Sequence, residues 1–377
     1  MRLSPVLRLA IVLVTVLAHI AIAGAQDIKI GAVFPLSGPN SAYGELFMSG
    51  ANLAVEHANA DKALSGKVSI LYEDSQALPQ PAIIAMTKLV NVEKVPFVLS
   101  AFTGVSKAVS TIGQRTKTVT VNGGGVGPDL AELGAYFWNV IPLANLEVRA
   151  IVPYIVKERG LKRFVLVYVD DPFGQGVRKE LEAALPATGG ELVTTLSVPV
   201  ASQQFGGIAA RVREARPDCV YVASYGNQQL QIIKQFRDNG VTQQIASYSA
   251  LAVPEAFKMP EVKGTLYTSQ RVDWESTDPV TKRYVDDYKK KYGKMPTAYT
   301  ANYYNAVRLF TQLAQELQKK GKPVTGETLL AQRNEDKVFD FVGGKVSFEP
   351  NGTVIAPIQI NEMDGASGKV LKVVSMR

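Results

Sequence analysis

Residues 118–130, TVTVNGGGVGPDL, alternate β-branched and small residues and then place four glycines within five positions. The alternation predicts a strand over 118–122, and the glycines predict a tight loop at its carboxyl end. A glycine loop after a strand is also where a dinucleotide fold cradles phosphate, so the neighbouring residues decide the reading. That fold needs G-x-G-x-x-G opening a long helix. Gly123-Gly124-Gly125-Val126-Gly127-Pro128 lacks the third glycine, and Pro128-Asp129 starts only a short turn. A phosphate-loop lysine is missing as well. The loop belongs to a β/α unit of another kind.

Working outward, β-rich runs alternate with amphipathic stretches along most of the chain. Strands are predicted at 28–34, 67–73, 97–101, 118–122, 163–169, 191–198, 219–225, 244–249 and 264–270. Helices are predicted between them at 43–59, 79–92, 104–114, 145–159, 173–185, 203–215 and 227–239, and beyond them at 277–292 and 298–320. Apolar strands flanked by helices imply parallel sheets covered on both faces, hence an α/β architecture. In GNQQLQIIKQFRDNG, Leu230, Ile233 and Phe236 fall at helical spacing, and Asn239-Gly240 supplies a left-handed stop. The first helix places Phe47, Ala51, Ala54, Val55 and Ala58 on one face and leaves His57 off it, which predicts a surface histidine. After about residue 335 the pattern turns to strand and turn, with turn signals at 349–352 and 364–368.

The first line, MRLSPVLRLAIVLVTVLAHIAIAGAQD, has Arg2 and Arg8, an apolar run from Leu9 to Ile22, and small residues at Ala21, Ala23 and Ala25. This is the build of a signal peptide spanning 1–25, too short in its apolar run for a membrane helix. Removing its two arginines takes the formal charge from +7 to 7 − 2 = +5. Basic residues are scattered, and KKK at 289–291 reads as a solvated helix face, which excludes a nucleic-acid stripe. The remaining chain of about 350 residues is long enough to split into two domains. No Pro/Ser-rich linker marks a boundary.

Cys219 is the single cysteine, so no internal disulfide or cysteine metal cluster is expected, and its apolar run CVYVASY predicts a buried inert thiol. Catalysis finds no constellation. Gly104-Val105-Ser106-Lys107-Ala108 ends in Ala where a nucleophile elbow needs Gly, and His57 is the only histidine outside the signal segment. Asp170-Asp171 precedes Pro172 and a helix, where an acid caps free N–H groups. Asp286-Asp287 reads as a charged helix face. No enzyme activity, metal or cofactor is expected.

Five segments in order carry a further reading: IKIGAVFPLSGPNSAYGELFMSGANLAVEHAN, VSILYEDSQALPQPAIIAMTKLV, DDPFGQG, RPDCVYVASYGNQQLQIIKQFRDNG and VSFEPNGTVIAPIQI. Over nearly its whole mature length the chain resembles the Leu/Ile/Val-binding protein family of periplasmic solute-binding proteins for ABC importers. The resemblance implies two doubly wound parallel-sheet lobes joined by three crossover strands, with ligand in the cleft. By that mapping one lobe takes 26–144 plus 272–347 and the other 145–271 plus 348–377. It also implies a monomer in the periplasm that docks on ABC permease subunits in the inner membrane and takes a small-molecule ligand.

Site residues follow from the same resemblance. Thr103 matches the hydroxyl that binds the ligand carboxylate at the helix start after the third strand. Gly124 matches the backbone donor of the next loop, and Val126 stands where the family has threonine. Tyr43 matches the aromatic near the first helix start, Phe173 replaces the tyrosine of D-x-x-Y-G, and Tyr225 matches the tyrosine after the seventh strand. Phe102 is a further candidate wall of an apolar slot, and Arg271, near a crossover, a candidate partner for an anion. The family's amino-acid binders carry an acid after the eighth strand, but SYSALAVP (247–254) has none, and Glu255 is the nearest candidate. Burying an unpaired ammonium costs on the order of 3 to 5 kcal/mol. The expected ligand is therefore a carboxylate without an α-amino group, an aromatic acid in particular. A branched-chain amino acid, a small amide, or a sensing role toward a membrane receptor are the alternatives.

Overall fold

The computed structural model describes residues 27–365 and 368–376. The predicted signal peptide lies outside the described residues. The described residues start with β1 (Ile28–Phe34), α1 (Ser41–Ala60), β2 (Val68–Asp74), α2 (Pro79–Asn91), β3 (Phe97–Ser100), α3 (Thr103–Thr116), β4 (Val119–Asn122) and β5 (Phe137–Asn139). These strands form one sheet in the order β2-β1-β3-β4-β5, parallel throughout. The period-2 alternation of β1 sends Phe34 to one face and Val33 to the other, where Val33 packs with Met86, Leu89 and Val109 of α2 and α3.

The chain then leaves this sheet and builds a second one. Its elements are α4 (Ala144–Pro153), β6 (Arg163–Val169), α5 (Pro172–Thr188), β7 (Glu191–Val198), α6 (Gly206–Ala215), β8 (Cys219–Ala223), α7 (Gly226–Asp238), β9 (Gln244–Ser247) and β10 (Leu266–Gln270). It returns to the first sheet with α8 (Pro279–Tyr292), α9 (Ala298–Lys319), α10 (Gly326–Asp336) and the hairpin β11 (Val338–Phe341) and β12 (Gly344–Ser347). A third passage adds β13 (Ile358–Met363) and β14 (Gly368–Val374) to the second sheet, whose order is β14-β13-β10-β9-β8-β6-β7. β13 and β14 run antiparallel on the edge of an otherwise parallel sheet. The three passages explain why no linker is legible: both units need segments distant in sequence.

Helix α9 closes the open face of the first sheet, and its Tyr303 and Phe310 pack on Phe34, Phe47 and Phe97. Asn239 and Gly240 end α7 as expected, with Gly240 at φ 76°. Cys219 is fully buried and desolvation pushes its thiol pKa up, consistent with an inert core residue. Short β5 and helix α10 were not read from the sequence, since three residues are too few for a period and GETLLAQRNED has no continuous apolar stripe.

His57 corrects the surface reading. It is 9% exposed, with Nδ1 2.7 Å from the Tyr304 hydroxyl and Nε2 3.0 Å from Asp287. Burial, then the nearby Arg283, lower its pKa. Helices α8 and α9 cover the side of α1 that the helix alone would leave to water.

Candidate functional site

A cavity of about 130 Å³ opens between the two sheets, outside the carboxyl ends of strands from both. It is the size of apolar cavities that hold one benzene ring, for which about 150 Å³ suffices. From the first sheet come Phe102, Thr103 and Gly104 after β3, Gly124, Gly125 and Val126 after β4, and Tyr43 and Phe47 of α1. From the second come Asp171, Pro172 and Phe173 after β6, Tyr225 after β8, and Tyr248 and Ala250 after β9.

The glycine loop is shaped by backbone packing. Asn122 at the end of β4 accepts N–H bonds from Gly124 (3.2 Å) and Gly125 (2.7 Å), and its amide donates to Gly125 O (2.7 Å) and Asn139 Oδ1 (2.9 Å). A Cβ on Gly125 would lie 2.9 Å from the Phe102 carbonyl carbon and the Thr103 nitrogen. The loop thus needs glycine to lie against the β3–α3 turn. That turn is itself strained, because Phe102 has φ 63°, a left-handed value that a bulky residue rarely adopts. The Phe102 ring lies edge-on to Tyr225 of the other sheet, centroids 5.5 Å apart.

Helix α3 begins at the cavity without a side-chain cap and without an acid in its first turn. Its first N–H groups have no intrahelical acceptor and carry the positive end of the helix dipole. Thr103 Oγ1 accepts the Gly127 N–H at 3.0 Å, which leaves its own proton to donate. This corner is built to meet an anion. The Gly124 N–H, expected as a donor to ligand, is directed at Asn122 instead.

The opposite wall carries the cavity's one carboxylate among the described residues. Asp171 caps α5 through Gly174 N–H (2.9 Å) and accepts the Tyr225 hydroxyl proton at 2.7 Å. Burial raises its pKa, and those hydrogen bonds oppose the rise. Burial, then the charge of Asp171, push the Tyr225 phenol up. Tyr43, also raised by burial, bridges the sheets: its hydroxyl donates to Ala250 O (3.3 Å) and accepts the Gly226 N–H (3.4 Å). Phe173 stacks tilted on Tyr248 at 4.7 Å.

Tyr43, Phe102, Thr103, Gly124, Val126, Phe173 and Tyr225 are therefore brought together. Arg271 is not. It lines a separate cavity with Gln270, Gly343 and Lys345, and its backbone N–H pairs with Pro357 O (2.9 Å), where the second and third passages run side by side. Glu255 is exposed and lines a neighbouring hollow on the other side of Tyr43. The sequence reading missed Phe47, Tyr248 and Tyr299 as wall residues and saw Asp171 only as a helix cap. Tyr248 follows a parallel strand directly, which was a usable signal, whereas Tyr299 sits on α9 with no local sign.

A family model described as periplasmic binding protein matches residues 27–369. The chain belongs to the periplasmic binding protein family. Leu/Ile/Val-binding protein homolog 1 of Brucella melitensis is 26% identical over 370 residues, covering 94% of this chain and 96% of that protein. The leucine-binding protein LivK of Thermotoga maritima matches the fold with TM-score 0.84 at 22% identity, over 93% of this chain and 99% of that one. A solute-binding protein of an R. palustris ABC transporter, solved with benzoate, matches with TM-score 0.83 at 18% identity, over 93% and 98%. Family membership makes this a solute-binding protein rather than an enzyme, and the family is periplasmic. No helix among the described residues is long and apolar enough to cross a membrane.

Proposed function

We propose that this binding protein closes on a small aromatic carboxylate and presents it to the permease of an ABC importer, after export directed by residues 1–25. The observation that carries the reading is the uncapped start of α3, with the Thr103 hydroxyl, opening into a cavity walled by Tyr43, Phe102, Phe173 and Tyr225. No lysine or arginine lines it among the described residues, so amide hydrogens and a hydroxyl hold the anion. The lobes are 26–144 plus 272–347 and 145–271 plus 348–377. Ligand touching both stabilises the closed form by the difference in its affinity for the two states.

A second reading has one observation in its favour. Asp171 supplies an acid that the 247–254 loop lacks, and an α-ammonium beside it would make the ligand a branched-chain amino acid. A thermal-shift panel of benzoate, hydroxybenzoates, leucine, isoleucine, short aliphatic acids and small amides separates the readings. The aromatic acids are expected to give the largest rise in melting temperature. A larger rise with leucine overturns the aromatic reading.

Thr103→Ala removes one hydroxyl donor to the carboxylate. Calorimetric titration is expected to show about fivefold weaker binding, since one such bond contributes about 1 kcal/mol. Unchanged affinity would take Thr103 out of the site.

A further inference from the structure

The two walls of the cavity differ in hydrogen-bonding sense. The first-sheet wall offers donors: the free N–H groups of α3 and the Thr103 hydroxyl. On the second-sheet wall the Tyr225 hydroxyl has spent its only proton on Asp171 Oδ2, 2.7 Å away, while Asp171 Oδ1 is taken by Gly174 N–H. A phenol in that position presents lone pairs alone. Tyr43 adds no free acceptor, since its hydroxyl donates to Ala250 O and already accepts the Gly226 N–H. A bare carboxylate ligand satisfies the first wall and leaves the Tyr225 oxygen unpaired on the second, beside a carboxylate of like charge.

We propose that Asp171, acting through the Tyr225 hydroxyl, is a specificity-determining residue that selects ligands carrying a hydrogen-bond donor in addition to their carboxylate. Under the aromatic reading above, on which the choice of donor rests, that donor is a ring hydroxyl. A site built to receive an O–H discriminates strongly against the analogue without it, because its own polar groups are then left unpaired. The position of Asp171 is not explained by capping alone, since a serine or asparagine there would cap α5 as well.

The test is calorimetric titration of the full mature chain with two matched pairs of ligands. Benzoate is compared with 2-, 3- and 4-hydroxybenzoate, and 4-methylpentanoate with leucine, each pair differing by one donor group. Wild type is expected to bind the best hydroxybenzoate at least about tenfold more tightly than benzoate. In Asp171→Asn the side-chain oxygen still caps α5, but its amide N–H₂ donates to the Tyr225 oxygen and turns the phenol proton toward the cavity. The preference for the hydroxylated ligand then falls to within about threefold, a change of about 0.7 kcal/mol or more in discrimination. Tyr225→Phe, which removes the acceptor and keeps Asp171, is expected to lower the same ratio.

An unchanged circular dichroism spectrum and melting temperature of each variant without ligand shows that the fold is intact, so that the ratio of affinities reads the cavity wall alone. Equal wild-type affinity for benzoate and all three hydroxybenzoates overturns the inference and leaves the aromatic reading standing. A preference that survives both substitutions also overturns it. Binding of leucine over 4-methylpentanoate, lost in Asp171→Asn, with no aromatic acid bound, overturns the aromatic reading and keeps the selection by Asp171. Failure of every carboxylate overturns both.

Discussion

Gly50→Ala is expected to lower stability by about 3 kcal/mol, at the upper end of the range for overpacking a close interface. A Cβ at position 50 would sit 1.9 Å from the Thr300 carbonyl oxygen and 2.8 Å from its carbon. Neither atom can rotate away, because both belong to the backbone of α9. The helices must part, and their separation loosens Phe47 against Tyr303, whose ring centroids lie 4.5 Å apart. The same two helices carry Tyr43, Phe47 and Tyr299 into the cavity wall. Ligand affinity should therefore fall together with the denaturation midpoint. Urea unfolding and calorimetric titration check the two effects, and wild-type values for both would mean that α1 and α9 meet with slack.

Glu147→Ala is expected to cost a similar amount, about 3 kcal/mol, by a different route. Glu147 on α4 is 1% exposed and accepts bonds from Ser249 N–H (2.9 Å), Ser249 Oγ (2.7 Å) and Thr268 Oγ1 (2.5 Å). Alanine leaves a void and strands those donors, of which the Ser249 N–H cannot reorient. Glu147→Gln keeps the shape and allows a sign check against pH. Burial raises the Glu147 pKa in the fold above its ordinary value, against the lowering by its three hydrogen bonds. A raised folded pKa contributes stability that is present below the unfolded pKa and is lost as pH rises through the folded one. The amide does not titrate. The deficit of Glu147→Gln relative to wild type should thus be largest near about pH 4 and shrink toward about pH 7. A deficit that grows with pH would show that the hydrogen bonds outweigh burial and depress the pKa.

Glu147 also marks the limit of sequence reading. Its neighbours ANLEVRAIVP form an ordinary amphipathic turn, and nothing local shows that Ser249 and Thr268, more than one hundred residues away, converge on it. His57 failed for the same reason, since α8 and α9 cover its face from the far end of the chain. Thr103 lines the cavity at a place legible in the sequence because the feature that positions it is local: a strand end followed at once by a helix start. Arg271 failed because the course of a crossover is set by what it pairs with, here Pro357, and not by its own residues.

By itself the sequence determined the alternation of strand and helix, the parallel character of the sheets and the position of the turns after β3, β4, β6 and β8. Those depend on periodicity, glycine placement and capping, which act within a few residues and are read along the chain. Only the tertiary structure decided which side chains share the cavity, that Asp171 and Tyr225 face the start of α3, and which polar groups are spent on each other. Such groups meet across the two sheets, and their protons and charges are assigned by contacts and desolvation that exist only once distant segments have packed.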